Sequence, residues 1–299
     1  MKMQISLTPA ESKKLISKSL LSLDFFKNAL KDGLILVHPS STTYFLYEEL
    51  TKEKPPKNWV CGVITPKGAC INRDMLEILA ERGATGDIGR FDQFWVFKRG
   101  KLIRKTPPLV EILEMMGEGD IYVKTGNAID LKKNVGVLIG APDGKGTVGR
   151  IFEASKKKGF RILLPIGLEK LIVSIEEAAK VANPFELEYS FGMPLYLYPV
   201  QGYVVTEIEA ISLLTGARAS LIASGGLNGA EGGVTLVVEG ENSELEGLKD
   251  IILGVKGAAL PSFPTPECEN CSWKTCFQYD FQNLSKFIES KPMGSQKEK

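Results

Sequence analysis

The sequence predicts an α/β protein: a parallel sheet with helices on both faces, then a smaller α+β unit and a cysteine-bearing end. Three observations predict it. Short apolar runs without polar alternation, such as LILV (34–37) and VGVLI (135–139), suit strands buried on both faces. Amphipathic segments of helical period separate them, the order of a Rossmann-like, parallel-stranded domain. After Asn183-Pro184 the order becomes strand–helix–strand–strand–helix, as in a ferredoxin-like module.

Taken in order, Thr8-Pro9-Ala10-Glu11 starts a helix: Thr8 caps, Pro9 takes the first helical position and Glu11 completes a capping box. This helix is expected to run to about Leu30 and to stop at Asp32-Gly33. Leu34–Val37 is a buried strand, followed by a helix from about Thr43 to Leu50. Trp59–Thr65 and Phe94–Lys98 read as strands, with KRGK (98–101) turning into Leu102–Arg104. A helix over Pro108–Met116 follows the Pro107-Pro108 break. Asp120–Lys124, Val135–Ile139 and Arg161–Leu164 are further apolar strands, the last two joined by a helix over Thr147–Lys158.

The second unit opens on a long strand, Leu195–Val205. A helix over Glu207–Leu214 stops at Thr215-Gly216. Strands over Ala217–Ser224 and Val234–Glu239 flank the glycine-rich GGLNGAEGG (225–233), and a helix from about Ser243 to Leu253 closes the unit. The expected division is 1–185 for the parallel-sheet domain, 186–258 for the α+β domain, 259–287 for a cysteine-rich segment and 288–299 for a polar, disordered tail.

With 43% hydrophobic residues among 299, the chain can bury a full core. Thirty-seven basic residues against thirty-six acidic leave a formal charge of +1, with no basic field to expect of a nucleic-acid binder. No run of ~18 apolar residues is present to span a bilayer, and the opening segment lacks the apolar region of a signal peptide. Five cysteines, three of them clustered, fit a reducing cytoplasm better than a disulfide scaffold. The oligomeric state is open, a homo-oligomer included.

Four loops that follow strands carry small polar residues: HPSSTT (38–43), TGNAID (125–130), APDGKGT (141–147) and PIGLEK (165–170). In a parallel sheet the carboxyl ends of the strands share one side, where ligands bind. Backbone N–H groups and hydroxyls at a helix start suit a phosphate or carboxylate. The residues expected to bind an anionic ligand are His38, Ser40, Ser41, Thr42, Thr43, Thr125, Gly126, Asn127, Gly144, Gly146 and Thr147. One hydroxyl of HPSSTT is enough to cap its helix, which leaves the others for a crevice. Neither a G-x-x-x-x-G-K-[ST] nor a G-x-G-x-x-G fingerprint is present.

LTPAESKKLI, GLILVHPSSTT, DIYVKTGNAID and VGVLIGAPDGKGTVG together resemble the superfamily of ribose-5-phosphate isomerase, glucosamine-6-phosphate deaminase and the CoA transferases, over roughly residues 8–180. The resemblance implies the fold and a site at the carboxyl edge of the sheet. His38-Pro39 stand where that superfamily usually has glycine. Its acidic and lysine-bearing catalytic segments, and the glutamate nucleophile of the transferases, have no clear counterpart.

Aldose–ketose isomerisation needs a carboxylate to move a proton and a cation to hold the enediolate oxygen. Asp130 is the expected base and Lys124 its electrostatic partner, with Glu169 and Lys170 as second choices. His38, the chain's one histidine, reads either as a structural residue or, protonated, as an aid to anion binding. Cys268, Cys271 and Cys276, spaced C-x2-C-x4-C, suit zinc or an iron–sulfur cluster. Three functions remain in view: a protein that binds a phosphorylated sugar or similar anion and isomerises it, a ligand sensor of the same fold without the chemistry, and a metal-dependent redox or sulfur-handling protein built on the three cysteines.

Overall fold

The computed structural model describes residues 1–56, 60–72, 94–141, 143–262, 265, 267, 268 and 276. In chain order its elements are β1 (Lys2–Leu7), α1 (Pro9–Leu20), α2 (Asp24–Asp32), β2 (Leu34–Val37), α3 (Ser41–Thr51), β3 (Gly62–Thr65), β4 (Gly68–Ile71), β5 (Trp95–Lys98), β6 (Lys101–Leu102), α4 (Leu109–Met115), β7 (Ile121–Val123), β8 (Ala128–Ile129), β9 (Val135–Ile139), α5 (Gly146–Lys158), β10 (Arg161–Pro165), α6 (Ile175–Val181), β11 (Tyr196–Val200), β12 (Tyr203–Val205), α7 (Glu207–Thr215), β13 (Arg218–Ser224), β14 (Val234–Glu239) and α8 (Asn242–Val255).

A six-stranded mixed sheet, order β12-β10-β7-β2-β5-β6, forms the centre. Its first four strands run parallel, and β5 and β6 are added antiparallel. Alternate residues enter two cores, which explains why these strands read as unbroken apolar runs. Ile35, Val37, Ile121, Val123, Leu163 and Val205 pack into one cluster with residues of α1, α2, α3, α7 and α8. Leu34, Leu36, Tyr122, Ile162 and Leu164 point into the other, with residues of α4, α5 and β9.

Three expectations about the sheets are corrected. Val135–Ile139 is a strand, but it lies in a separate antiparallel sheet, β11-β9-β8, and not in the parallel one. The long strand expected over Leu195–Val205 is two: β11 pairs with β9, whereas β12 extends the parallel sheet beside β10. The opening segment, expected to be an amphipathic helix, begins instead with a strand over residues 2–7, and β1 pairs along its whole length with β14 in a three-stranded sheet with β13. The pairings therefore run back and forth across residue 185. The single helix expected from Thr8 to Leu30 is two, α1 and α2, broken by a turn at Leu21–Leu23.

The capping box at Thr8 is present, with Glu11 N–H donating to Thr8 Oγ1 at 3.3 Å and Thr8 N–H donating to Glu11 at 2.9 Å. The same Glu11 carboxylate also accepts from Gly257 N–H (2.9 Å) and Lys256 Nζ (3.1 Å), which ties the start of α1 to the end of α8. No helix among the described residues is long and apolar enough to cross a membrane.

Candidate functional site

The carboxyl ends of the four parallel strands bring His38, Lys124, the turn 166–170 and Thr206-Glu207 to one side. Inter-strand hydrogen bonds fix these positions: His38 N–H donates to Val123 O (2.9 Å), Lys124 N–H to Leu163 O (3.0 Å) and Ile166 N–H to Val205 O (2.9 Å). Lys13, from the buried side of α1, meets this edge. Its Nζ is 2.8 Å from a Glu169 oxygen, with the two side chains only 8% and 11% exposed.

Glu207, the first residue of α7, is fully buried and accepts the Leu168 N–H with both oxygens, at 2.9 and 3.2 Å. Burial, reinforced by the nearby Glu169 charge, pushes its carboxyl up to about 7, against the pull of backbone N–H groups and Ser12. Gly167 makes the arrangement possible. A Cβ there would lie 1.8 Å from Glu169 Oε2, so any larger residue displaces the carboxylate.

Lys124 and Lys170 are partly exposed, and neither has an ion-pair partner among the described residues. Burial pushes the Lys124 ammonium down to about 8, and the Lys170 charge pushes in the same direction. Lys170 is also pushed down to about 8 by burial, with Lys13 adding to the effect and Glu169 and Glu207 opposing it. Lys170 Nζ donates to Gly126 O at 3.0 Å. The Cys61 thiol, near enough to Lys124 for their charges to interact, is pushed up to about 11 by burial and stays protonated. The site thus gathers three lysines and two carboxylates, one of which is held near 7.

The other predicted residues have varied places. His38 Nδ1 bonds to Tyr122 Oη at 2.8 Å, and its ring meets Phe94 edge-on. Burial, and then the Lys124 charge, holds His38 well below the ordinary histidine value, so it is neutral and is no cation for an anion. Ser40 is the helix cap: its Oγ accepts from Thr43 N–H (3.1 Å) and bonds to Thr125 Oγ1 (2.8 Å). Thr43 Oγ1 donates to His38 O at 2.9 Å, closing the turn. Thr42 is fully buried and its hydroxyl has no partner among the described residues. Ser41 stays half-buried at the start of α3.

Asp130 has a structural task. Its carboxylate accepts from Lys132 N–H, Asn134 N–H, Asn134 Nδ2 and Ile175 N–H, at 2.9 to 3.2 Å, and the residue is 5% exposed. Asn127 Oδ1 likewise accepts from Leu138 N–H. Gly126 lets two chains approach, since a Cβ there would lie 2.3 Å from Val135 Cγ1. Gly144, Gly146 and Thr147 follow β9, in the second sheet, with Gly144 against the Tyr196 ring. Asp143 already accepts from the Gly146 and Lys145 N–H groups there, at 2.7 and 3.0 Å. This loop therefore follows a strand of a different sheet from the one that carries HPSSTT.

Sequence reasoning missed Lys13 and Glu207. Lys13 is in helical register with Ile16 and Leu20, so a lysine on the apolar stripe of α1 was the signal. Glu207 directly follows the strand end YVV and its Thr206 cap. The glycine-rich loop reaches the site from the far side, with Gly232 beside Glu169 and Pro9. Of the three clustered cysteines, Cys271 lies outside the described residues, as does the tail 288–299. Among the described residues no group of three or more His, Cys, Asp or Glu is placed to hold a metal ion. Comparison with known proteins yields no family model that matches the chain and no curated protein similar to it, so only the geometry above bears on what the site does.

Proposed function

We propose that the protein binds a small anionic metabolite, a phosphorylated sugar or a compound like it, at the carboxyl edge of the six-stranded sheet and moves a proton on it. The observation that carries this reading is the pair Lys124 and Lys170, interacting ammonium groups without a carboxylate in ion-pair reach among the described residues. Desolvated charge left uncompensated costs several kcal/mol. A dianion bound at Lys170, with Lys124 beside it, would offset that cost.

Glu207 supports the chemical half of the reading. A carboxyl held near 7 has the proton affinity that a general acid or base needs at neutral pH. Glu169 is taken up by its ion pair with Lys13, which leaves Glu207 for that task. The proposed base is Glu207, because Asp130 spends its oxygens on four structural hydrogen bonds. The sequence resemblance to sugar-phosphate isomerases and deaminases points toward the same edge and the same class of ligand.

Calorimetric titration with ribose 5-phosphate and glucosamine 6-phosphate tests the proposal. Binding is expected at pH 7, to weaken as pH rises through about 8 with loss of the Lys124 and Lys170 charges. Lys170→Met should weaken it at least about tenfold, the scale of one charge-assisted contact. Solvent deuterium incorporation into the bound sugar reports proton transfer, and Glu207→Gln should stop it with binding kept. Failure of every sugar phosphate to bind overturns the proposal.

A further inference from the structure

We propose, resting on the anion-site reading above, that Lys124 is a covalent site, whose amine condenses with the carbonyl group of the bound metabolite to form a Schiff base. Three lysines meet at the sheet edge, and their surroundings differ. Lys13 Nζ is held by the Glu169 carboxylate at 2.8 Å. Lys170 Nζ is held by the Gly126 carbonyl at 3.0 Å. Lys124 alone has no hydrogen-bond or ion-pair partner for its Nζ among the described residues, so nothing must be broken before its lone pair is used.

Its base is rigid where its tip is free. Lys124 follows β7, between β2 and β10, with its N–H bonded to Leu163 O and Val123 O accepting from His38 N–H. A reactive group on a strand end is aimed better than one on a loop. Among the described residues the groups that interact with the amine are the Lys170 cation, the neutral His38 and the protonated Cys61 thiol, and no carboxylate there anchors it as an ammonium. A desolvated lysine beside a second cation is the arrangement that frees an amine for carbonyl chemistry. With its ammonium at about 8, roughly a tenth of Lys124 is free amine at pH 7, against well under a thousandth for an ordinary lysine.

The step balances without any redox partner. The amine lone pair attacks the carbonyl carbon, a C–N bond forms, and the carbonyl π pair moves to oxygen, which takes a proton. A second proton converts that hydroxyl to water. The C–O bond breaks, nitrogen loses its remaining protons to solvent, and C=N is left. Lys170 keeps the division of labour clear, since its charge draws the phosphate and Lys124 meets the carbonyl.

The test is reductive trapping on the full chain. The protein is incubated with ribose 5-phosphate, sodium borohydride is added as hydride donor, and the product is read by intact mass and peptide mapping. One adduct per chain is expected, with a mass gain of the sugar phosphate less one oxygen, on Lys124, and excess inorganic phosphate should suppress it. Lys124→Arg keeps the charge and removes the nucleophile, so labelling at position 124 should vanish. Binding of ribose 5-phosphate with no adduct, with adducts scattered over surface lysines, or with the adduct on Lys170, overturns the covalent assignment and leaves the anion site standing. Absence of both binding and adduct overturns both. The wild-type map decides the matter even if the arginine variant does not fold.

Discussion

At position 167 a hydrogen stands where any other residue would carry a carbon, and a carboxylate fills the space. The backbone there, with φ of −77°, suits alanine as well as glycine, so the constraint is the Glu169 side chain alone. Alanine at a compatible backbone position usually stabilises by ~0.4–1 kcal/mol. Here Gly167→Ala should instead destabilise by about 2–4 kcal/mol in urea unfolding, because pushing Glu169 away leaves Lys13 buried and unpaired. In a Glu169→Ala background the same glycine change should cost close to nothing, and an unchanged penalty there would assign the effect to the backbone. At this scale the sequence was readable in part. Lys124, Glu169 and Lys170 are visible as polar residues that close apolar strands. Asp130 carries the same signal, yet its oxygens are taken by N–H groups of residues 132, 134 and 175, one of them 45 positions away. No local pattern reports such a partner.

At the level of elements, the apolar strands and the capped helices are legible because one residue window holds their cause. Val135–Ile139 and Val234–Glu239 match their expected bounds, and the capping box at Thr8 forms as its residues dictate. Strand β1 was hidden by lysine, glutamine and serine on its open side, although Met3, Ile5 and Leu7 alternate as a one-faced strand should. Sheet membership was not legible, since which strands pair is a matter of contacts remote in sequence. The β1 contribution can be measured. Leu7 is 2% exposed and packs with Leu236 and Val238 in the larger core. Leu7→Ala should cost about 2–5 kcal/mol in chemical denaturation, and a cost under about 1 kcal/mol would mean that β1 is a dispensable edge.

For the molecule as a whole, the buried ionisable groups imply a stability profile with a shallow minimum near neutrality. Glu207 is raised from 4.5 to about 7, so between those values the unfolded chain releases a proton that the folded one retains, and stability falls as pH rises. Lys124 and Lys170 are lowered from 10.5 to about 8. Between about 8 and 10.5 the unfolded chain holds protons that the folded one has lost, so their contribution rises with pH. Urea denaturation across pH 5 to 10 checks both arms, and a saturating sugar phosphate should fill in the minimum. A profile peaking at pH 7 to 8 without ligand would contradict the buried placement of these groups.

Strand β1 lies in register with β14 from Lys2↔Glu239 to Leu7↔Val234. During synthesis, residues 2–7 leave the ribosome more than two hundred residues before their partner exists. The first strand and the helix that carries Lys13 must wait for it, through roughly ten to fifty seconds of elongation. The sheet edge that Lys13 joins therefore cannot be completed before β14 emerges. A nascent chain stalled before residue 234 would expose a half-apolar strand to passing chaperones.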